Sequence, residues 1–167
     1  MSAATEIAVR MGEIAVSSNP GDVLLSIGLG SCIGLALVDQ RRGIAGLAHV
    51  MLPEAIAGGG PAGKFADLAV PELVKQVTAL GTATTSLKAV LVGGAQMFSL
   101  GSSGAMDIGV RNDAAVRDAL RKERIAVVAA EVGGSKGRTI RVIPGGSVLS
   151  KEAGGAEKEL MTTGVRL

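Results

Sequence analysis

Apolar residues fall in short, strand-length runs along most of this chain and take up a helical period in only two places. Residues 6–17 (EIAVRMGEIAVS) read as two short strands turning at Met11-Gly12, and residues 23–27 (VLLSI) as a third. Ile33–Asp39 and Ile44–Leu52 form a candidate hairpin around the turn 40–43 (QRRG). Pro53–Gly63 is a Gly/Ala/Pro loop. Over residues 64–80 the spacing of Leu68, Leu73, Val74, Val77 and Leu80 predicts a helix. Pro71 lies inside it and should kink or split it, because proline donates no backbone hydrogen bond and crowds the preceding turn. Leu87–Val92 is a strand running into Gly93-Gly94. Residues 112–124 predict a second helix, capped by Asn112, with Val116 and Leu120 on its buried face. Ile125–Val132, Arg138–Ile143 and Ser147–Leu149 complete the strands. The composition then shifts, and residues 151–167 read as a mobile tail behind a single domain spanning 1–150. Many strands and two helices predict an α+β fold with a mainly antiparallel sheet.

Composition narrows what such a fold can do. The 167 residues include 25 Gly, two Phe, no Trp and no Tyr, with one Cys and one His. A single cysteine excludes an intramolecular disulfide, and Cys32 plus His49 cannot supply the four ligands of a structural zinc site. Stacking platforms for single-stranded nucleic acid need aromatic rings that this chain lacks. A net charge of +2 from scattered residues points to neither nucleic acid nor a lipid surface. Mean hydropathy is high, at +0.43. Yet the uncharged runs 23–38 and 89–106 are punctuated by Gly and Ser and fall short of the roughly 20 apolar residues of a spanning helix. Glu6, Arg10 and Glu13 interrupt the first apolar stretch, so no signal peptide is visible. The expectation is a cytoplasmic protein with a reduced thiol and no membrane insertion.

Three glycine-rich segments imitate nucleotide or anion loops. GGGPAGKF (58–65) puts Phe65 where a phosphate-binding loop needs a metal-binding hydroxyl. GLGSCIG (28–34) has Ile33 at the third glycine of a dinucleotide fingerprint, and a strand follows where a helix is required. GGSKGR (133–138) reads as a strand-to-strand turn rather than an anion cradle.

The two singletons carry the chemistry. A two-residue turn at Gln40-Arg41 would make Cys32 and His49 direct cross-strand partners on one face of the hairpin. A register slip of one residue would separate them. An imidazole beside a thiol can take its proton and generate the nucleophilic thiolate. Ser26, on the preceding strand, is a candidate to fix the imidazole ring through its hydroxyl. Gly28-Leu29-Gly30-Ser31 brings backbone N–H groups beside the sulfur, and those of Gly30 and Ser31 are candidate oxyanion donors. On the residues alone, a buried inert thiol and an ordinary tight turn remain open.

GLGSCIGLALVDQRRGIAGLAHVMLP (28–53) resembles the signature of the bacterial chemoreceptor glutamine deamidases called CheD. The resemblance continues through residues 63–74 (GKFADLAVPELV), 91–98 (LVGGAQMF), 108–113 (IGVRND) and 132–148 (VGGSKGRTIRVIPGGSV), covering about 140 residues in order. It implies a three-layer α/β/β sandwich shared with some toxin deamidases, and a Cys-His-Thr type triad. Cys32 matches the nucleophile, His49 the base, and Ser26 the threonine, with the methyl lost. Phe65 stands where relatives often carry Tyr. For Gly94, Arg111 and Asn112 the expected service is structural: a turn or a buried hydrogen-bond network. The resemblance further implies hydrolysis of glutamine amides on chemoreceptor cytoplasmic domains without metal or organic cofactor. Esterase-like action on methylated glutamates and binding to a CheC-type phosphatase are implied as well. Two competing readings are a non-catalytic regulator that stimulates that phosphatase and a thiol hydrolase of small amides or esters.

Overall fold

The computed structural model of the chain describes residues 5–96 and 108–161. Met97 and Phe98 of the 91–98 motif, the end of the uncharged run 89–106, and residues 162–167 of the expected tail lie outside them. The ten strands are β1 (Thr5–Ala8), β2 (Ile14–Ser17), β3 (Asp22–Leu29), β4 (Ile33–Asp39), β5 (Ile44–Val50), β6 (Lys88–Gly93), β7 (Ala126–Val132), β8 (Arg138–Val142), β9 (Val148–Glu152) and β10 (Glu157–Met161). The helices are α1 (Ala66–Thr78) and α2 (Ile108–Lys122).

The strands form two five-stranded sheets, β1-β3-β8-β9-β10 and β2-β5-β4-β6-β7. Within them β1/β3 and β6/β7 are parallel and the other pairs antiparallel. Both helices pack on the second sheet, through Ala69, Val70, Leu73 and Val77 of α1 and Val116 and Leu120 of α2. The opposite face of that sheet meets the first sheet through Ala36, Val38, Ala45, Leu47, Val90 and Val92, packed with Leu24, Leu29, Ile140 and Val142. The result is the expected α/β/β sandwich. Its middle layer is dry on both sides, so all seven residues of β4 and all seven of β5 are buried. This explains why those segments read as continuous apolar runs instead of alternating ones.

Several elements depart from the sequence reading. α1 is one continuous helix that Pro71 does not split: the proline lies on its exposed side in the second turn, where it removes one N–H bond. Its buried stripe is Ala66, Ala69, Val70, Leu73, Val74 and Val77, and Leu68 and Leu80 of the expected face are exposed. α2 begins at Ile108, so Asn112 lies one turn inside it, fully buried, and is no cap. The chain does not leave the fold at residue 150: β9 runs to Glu152, and β10 pairs with it as the sheet's edge. Edge pairing satisfies the backbone of a segment too polar to be read as a strand by its side chains.

Candidate active site

The site gathers where β3 ends, β4 begins and β5 ends. The β4–β5 hairpin closes through four residues, 40–43, with Asp39 opposite Ile44. That turn is two residues longer than the one expected, so Gly34, not Cys32, pairs directly with His49. The slip is even, and parity along a strand survives an even slip. His49 continues the inward series Ala45 and Leu47, and Cys32 packs against the same inter-sheet cluster. Cys32 therefore stands one step before β4, on the same side of the sheet as His49 and diagonal to it. A side chain at Gly34 would strike Leu29 Cδ1 and Ile140 Cγ2, each 2.9 Å from where its Cβ would lie. The absence of a side chain lets the two sheets close beside the imidazole.

His49 is 4% exposed and is held from a segment that its own sequence neighbourhood does not reveal. Its Nδ1 lies 3.0 Å from the Val9 carbonyl oxygen. A carbonyl only accepts, so Nδ1 carries the proton and Nε2 is left with its lone pair. The His49 backbone is clasped by the same segment: Gly12 N–H donates to its carbonyl at 2.9 Å and its own N–H donates to the Glu13 carbonyl at 3.1 Å. Ser26 is buried, and its hydroxyl donates to that same Val9 oxygen at 2.7 Å. Ser26 thus reaches His49 only through a shared carbonyl, where the sequence suggested a direct contact. Val9 acts through its backbone, so no side-chain pattern could have announced it.

The Cys32 loop hangs by its carbonyls. Gly94 N–H donates to Cys32 O and Ala95 N–H to Gly30 O, both at 2.8 Å. Gly93 takes φ +119°, and a Cβ there would sit 2.2 Å from Cys32 O, so only glycine fits between β6 and this loop. With the carbonyls of residues 30 and 32 turned to Gly94-Ala95, the N–H groups of Gly30, Ser31 and Cys32 donate to no acceptor among the described residues. Asn112 closes the arrangement from the helix layer: Nδ2 donates to Ser31 O and to Met51 O, each at 2.9 Å. The expected buried network around Asn112 is present, and Gly94 serves the turn. An α2 starting at Ile108 would have exposed Asn112 as the polar member of the stripe Gly109, Asn112, Val116 and Leu120.

Electrostatics favour a neutral pair at rest. Burial pushes the Cys32 thiol above its ordinary value. Burial also pulls the His49 imidazole below its ordinary value, opposed by the Val9 carbonyl and the Glu13 charge. Thiol and neutral imidazole, not thiolate and imidazolium, are the resting forms. Without the imidazole, in His49→Gln, alkylation of Cys32 by iodoacetamide should therefore climb through neutral pH and level off only above the usual thiol value of about 8.5. A plateau already reached at neutral pH would contradict this. Among the described residues, no three His, Cys, Asp or Glu side chains are grouped as a metal would need, and no helix is long and apolar enough to cross a membrane.

The family described as CheD chemotactic sensory transduction matches residues 51–152. A probable chemoreceptor glutamine deamidase CheD of Clostridium botulinum (strain Alaska E43 / Type E3) is 45% identical over 139 residues, covering 81% of this chain and 85% of the relative. A probable chemoreceptor glutamine deamidase CheD of Symbiobacterium thermophilum is 43% identical over 158 residues, covering 92% of this chain and 96% of its own. That alignment leaves too few residues uncovered to miss positions 26–49. Among solved structures, a Neisseria meningitidis protein of the DUF152 family superposes with a TM-score of 0.52 at 10% identity, over 78% of this chain and 64% of that one. That likeness extends to the fold alone.

Proposed function

This chain belongs to the CheD family, and on that premise we propose that it deamidates chemoreceptor glutamines in chemotaxis, with Cys32 as nucleophile and His49 as base. The observation that supports the assignment of roles is the Val9 carbonyl. It fixes the His49 tautomer and leaves Nε2 without a partner among the described residues, on a residue that shares its side of the sheet with Cys32.

The reaction runs in two halves. His49 Nε2 takes the Cys32 thiol proton as Sγ attacks the carboxamide carbon of a glutamine side chain. The carbonyl oxygen becomes an oxyanion, facing the free N–H groups of the Gly30–Cys32 loop. The C–N bond then breaks, Nε2 returns its proton to the leaving nitrogen, and ammonia departs from a thioester. Water attacks the thioester carbon, with Nε2 as base. The C–S bond breaks, the sulfur regains a proton and glutamate is released. Chain-borne groups account for each proton. Cys32 and His49 share no hydrogen bond at rest, and such contacts commonly tighten only around bound substrate. Ser26 acts at one remove, by adding a second donor to the Val9 oxygen that orients His49.

The product places a carboxylate where a neutral amide stood. On a receptor helix this changes the electrostatics between neighbouring helices and so biases signalling. The receptor's cytoplasmic segments are the substrate on this reading, and the reaction is cytoplasmic. A CheC-type phosphatase is a partner outside the reaction, so its stimulation is independent of the Cys32 thiol. The test is ammonia release from a purified receptor cytoplasmic fragment, followed together with the fragment's gain in negative charge. Both should occur with the wild-type protein. Absence of both would end the reading. Turnover of free glutamine or a small ester without receptor would move the protein to the class of small-molecule thiol hydrolases.

A further inference from the structure

We propose that Asn112 is a positioning residue, whose buried amide ties the Cys32 loop to the end of the His49 strand and so sets how the two groups meet. The inference rests on the deamidase reading for its functional weight and on geometry for its content. Three segments distant in sequence converge at this amide. Ser31 immediately precedes the nucleophile, Met51 follows the base by two residues, and Asn112 comes from the helix layer. Nδ2 has two hydrogens, and each carbonyl takes one at 2.9 Å. Turning the amide over would press Oδ1 against both carbonyl oxygens and lose both bonds, so its orientation is fixed.

The choice of residue is costly for the fold. Asn112 is fully buried on the apolar stripe of α2, with Gly109, Val116 and Leu120. Its Oδ1 is buried and meets no donor among the described residues. A buried acceptor without a partner is unfavourable, and a leucine on this stripe would remove that one while leaving the Ser31 and Met51 carbonyls without their donor. What leucine could not do is bridge Ser31 and Met51. Neither of those residues is in a strand that pairs with the other: β4 and β5 pair only from Ile33 and Val50 inward. Past the last ladder pair, the Asn112 amide is the cross-link between the two chain ends that carry the reacting groups. A thiol and an imidazole lacking a direct hydrogen bond depend on such a link for their separation, and misplacement by about 1 Å can cost about 100-fold in rate.

The test is a double-mutant cycle read on Cys32 alkylation, which requires no turnover. In the wild-type background, His49→Gln should slow alkylation at neutral pH by about tenfold, because the imidazole no longer assists loss of the thiol proton. In the Asn112→Leu background the same substitution should change the rate less than about twofold. Equal His49 dependence in the two backgrounds would overturn the proposal. Thermal melting of Asn112→Leu should show a folded variant with a lowered melting point, since the Ser31 and Met51 carbonyls lose their donor while the orphaned oxygen is removed. Should Asn112→Leu not fold, Asn112→Ser is measured in the same cycle and judged by the same outcomes. The second readout is ammonia release from a receptor fragment, with kcat expected to fall about 100-fold and KM to hold within about twofold. An unchanged kcat in a folded variant contradicts positioning while leaving the deamidase reading intact. No ammonia from the wild-type protein defeats that reading, and the alkylation cycle still decides the role of Asn112.

Discussion

Cys32→Ala should lower ammonia release from a receptor cytoplasmic fragment by about 10⁴-fold or more, with little change in the melting temperature. The size of the loss follows from the mechanism. Without sulfur there is no thioester, and what remains is binding plus whatever the Gly30–Cys32 N–H groups contribute to direct attack by water. The stability expectation follows from the surroundings. Cys32 is only partly buried at the margin of the inter-sheet cluster, so trimming it to alanine should cost under about 1 kcal/mol. Kinetics on the folded variant, with melting measured in parallel, check both halves. Retention of activity within about tenfold of wild type would remove Cys32 from the reaction.

His49→Gln should reduce turnover at neutral pH by about 10³-fold and should recover part of it as pH rises. Burial holds the Cys32 thiol protonated at neutral pH, so without the imidazole only a small thiolate fraction attacks. That fraction grows tenfold per pH unit until the thiol titrates, and the activity of the variant should follow it. Recovery is incomplete because the leaving ammonia also loses its general acid. The wild type should show its pH dependence in a lower range. His49 must be neutral to act as base, and its pKa lies below the ordinary imidazole value. Activity is therefore present above that lowered pKa and is lost as pH falls through it. A variant whose activity stays flat across this range would contradict the role of His49. Glutamine can still donate to the Val9 oxygen, so melting should drop by no more than about 1–2 kcal/mol of stability.

The layers and the shared face of the two candidate residues, Cys32 and His49, are legible in the sequence, and the way they are joined is not. β4 and β5 were readable because a doubly covered sheet leaves an unbroken apolar run, and the hairpin follows from QRRG. The register differs by two from that of a two-residue turn, because the turn takes four residues; parity keeps Cys32 and His49 on one side. α1 was visible by period, yet its inner stripe is built partly from alanines, Ala66 and Ala69, which a count of large apolar residues passes over. The supports of the site were nearly silent. The Val9 carbonyl, the Gly94 and Ala95 N–H groups and the carbonyls of Ser31 and Met51 are backbone atoms, and backbone leaves no trace in residue identity. Gly93 and Asn112 did leave one. A glycine pair closing a strand and a polar residue on an apolar helical stripe both signal close approach, once element boundaries are right. The scarcity of aromatic residues has no counterpart in the site.

The central claim is that Cys32 forms a thioester with a receptor glutamine, and trapping that intermediate tests it most directly. A receptor cytoplasmic fragment is incubated with the protein in the presence of hydroxylamine and its peptides are weighed. Glutamine positions should carry the mass increment of a hydroxamate beside those carrying that of the acid, with both absent for Cys32→Ala. Conversion of glutamine to glutamate with no hydroxamate at any hydroxylamine concentration, or an unchanged peptide pattern with Cys32→Ala, would contradict it.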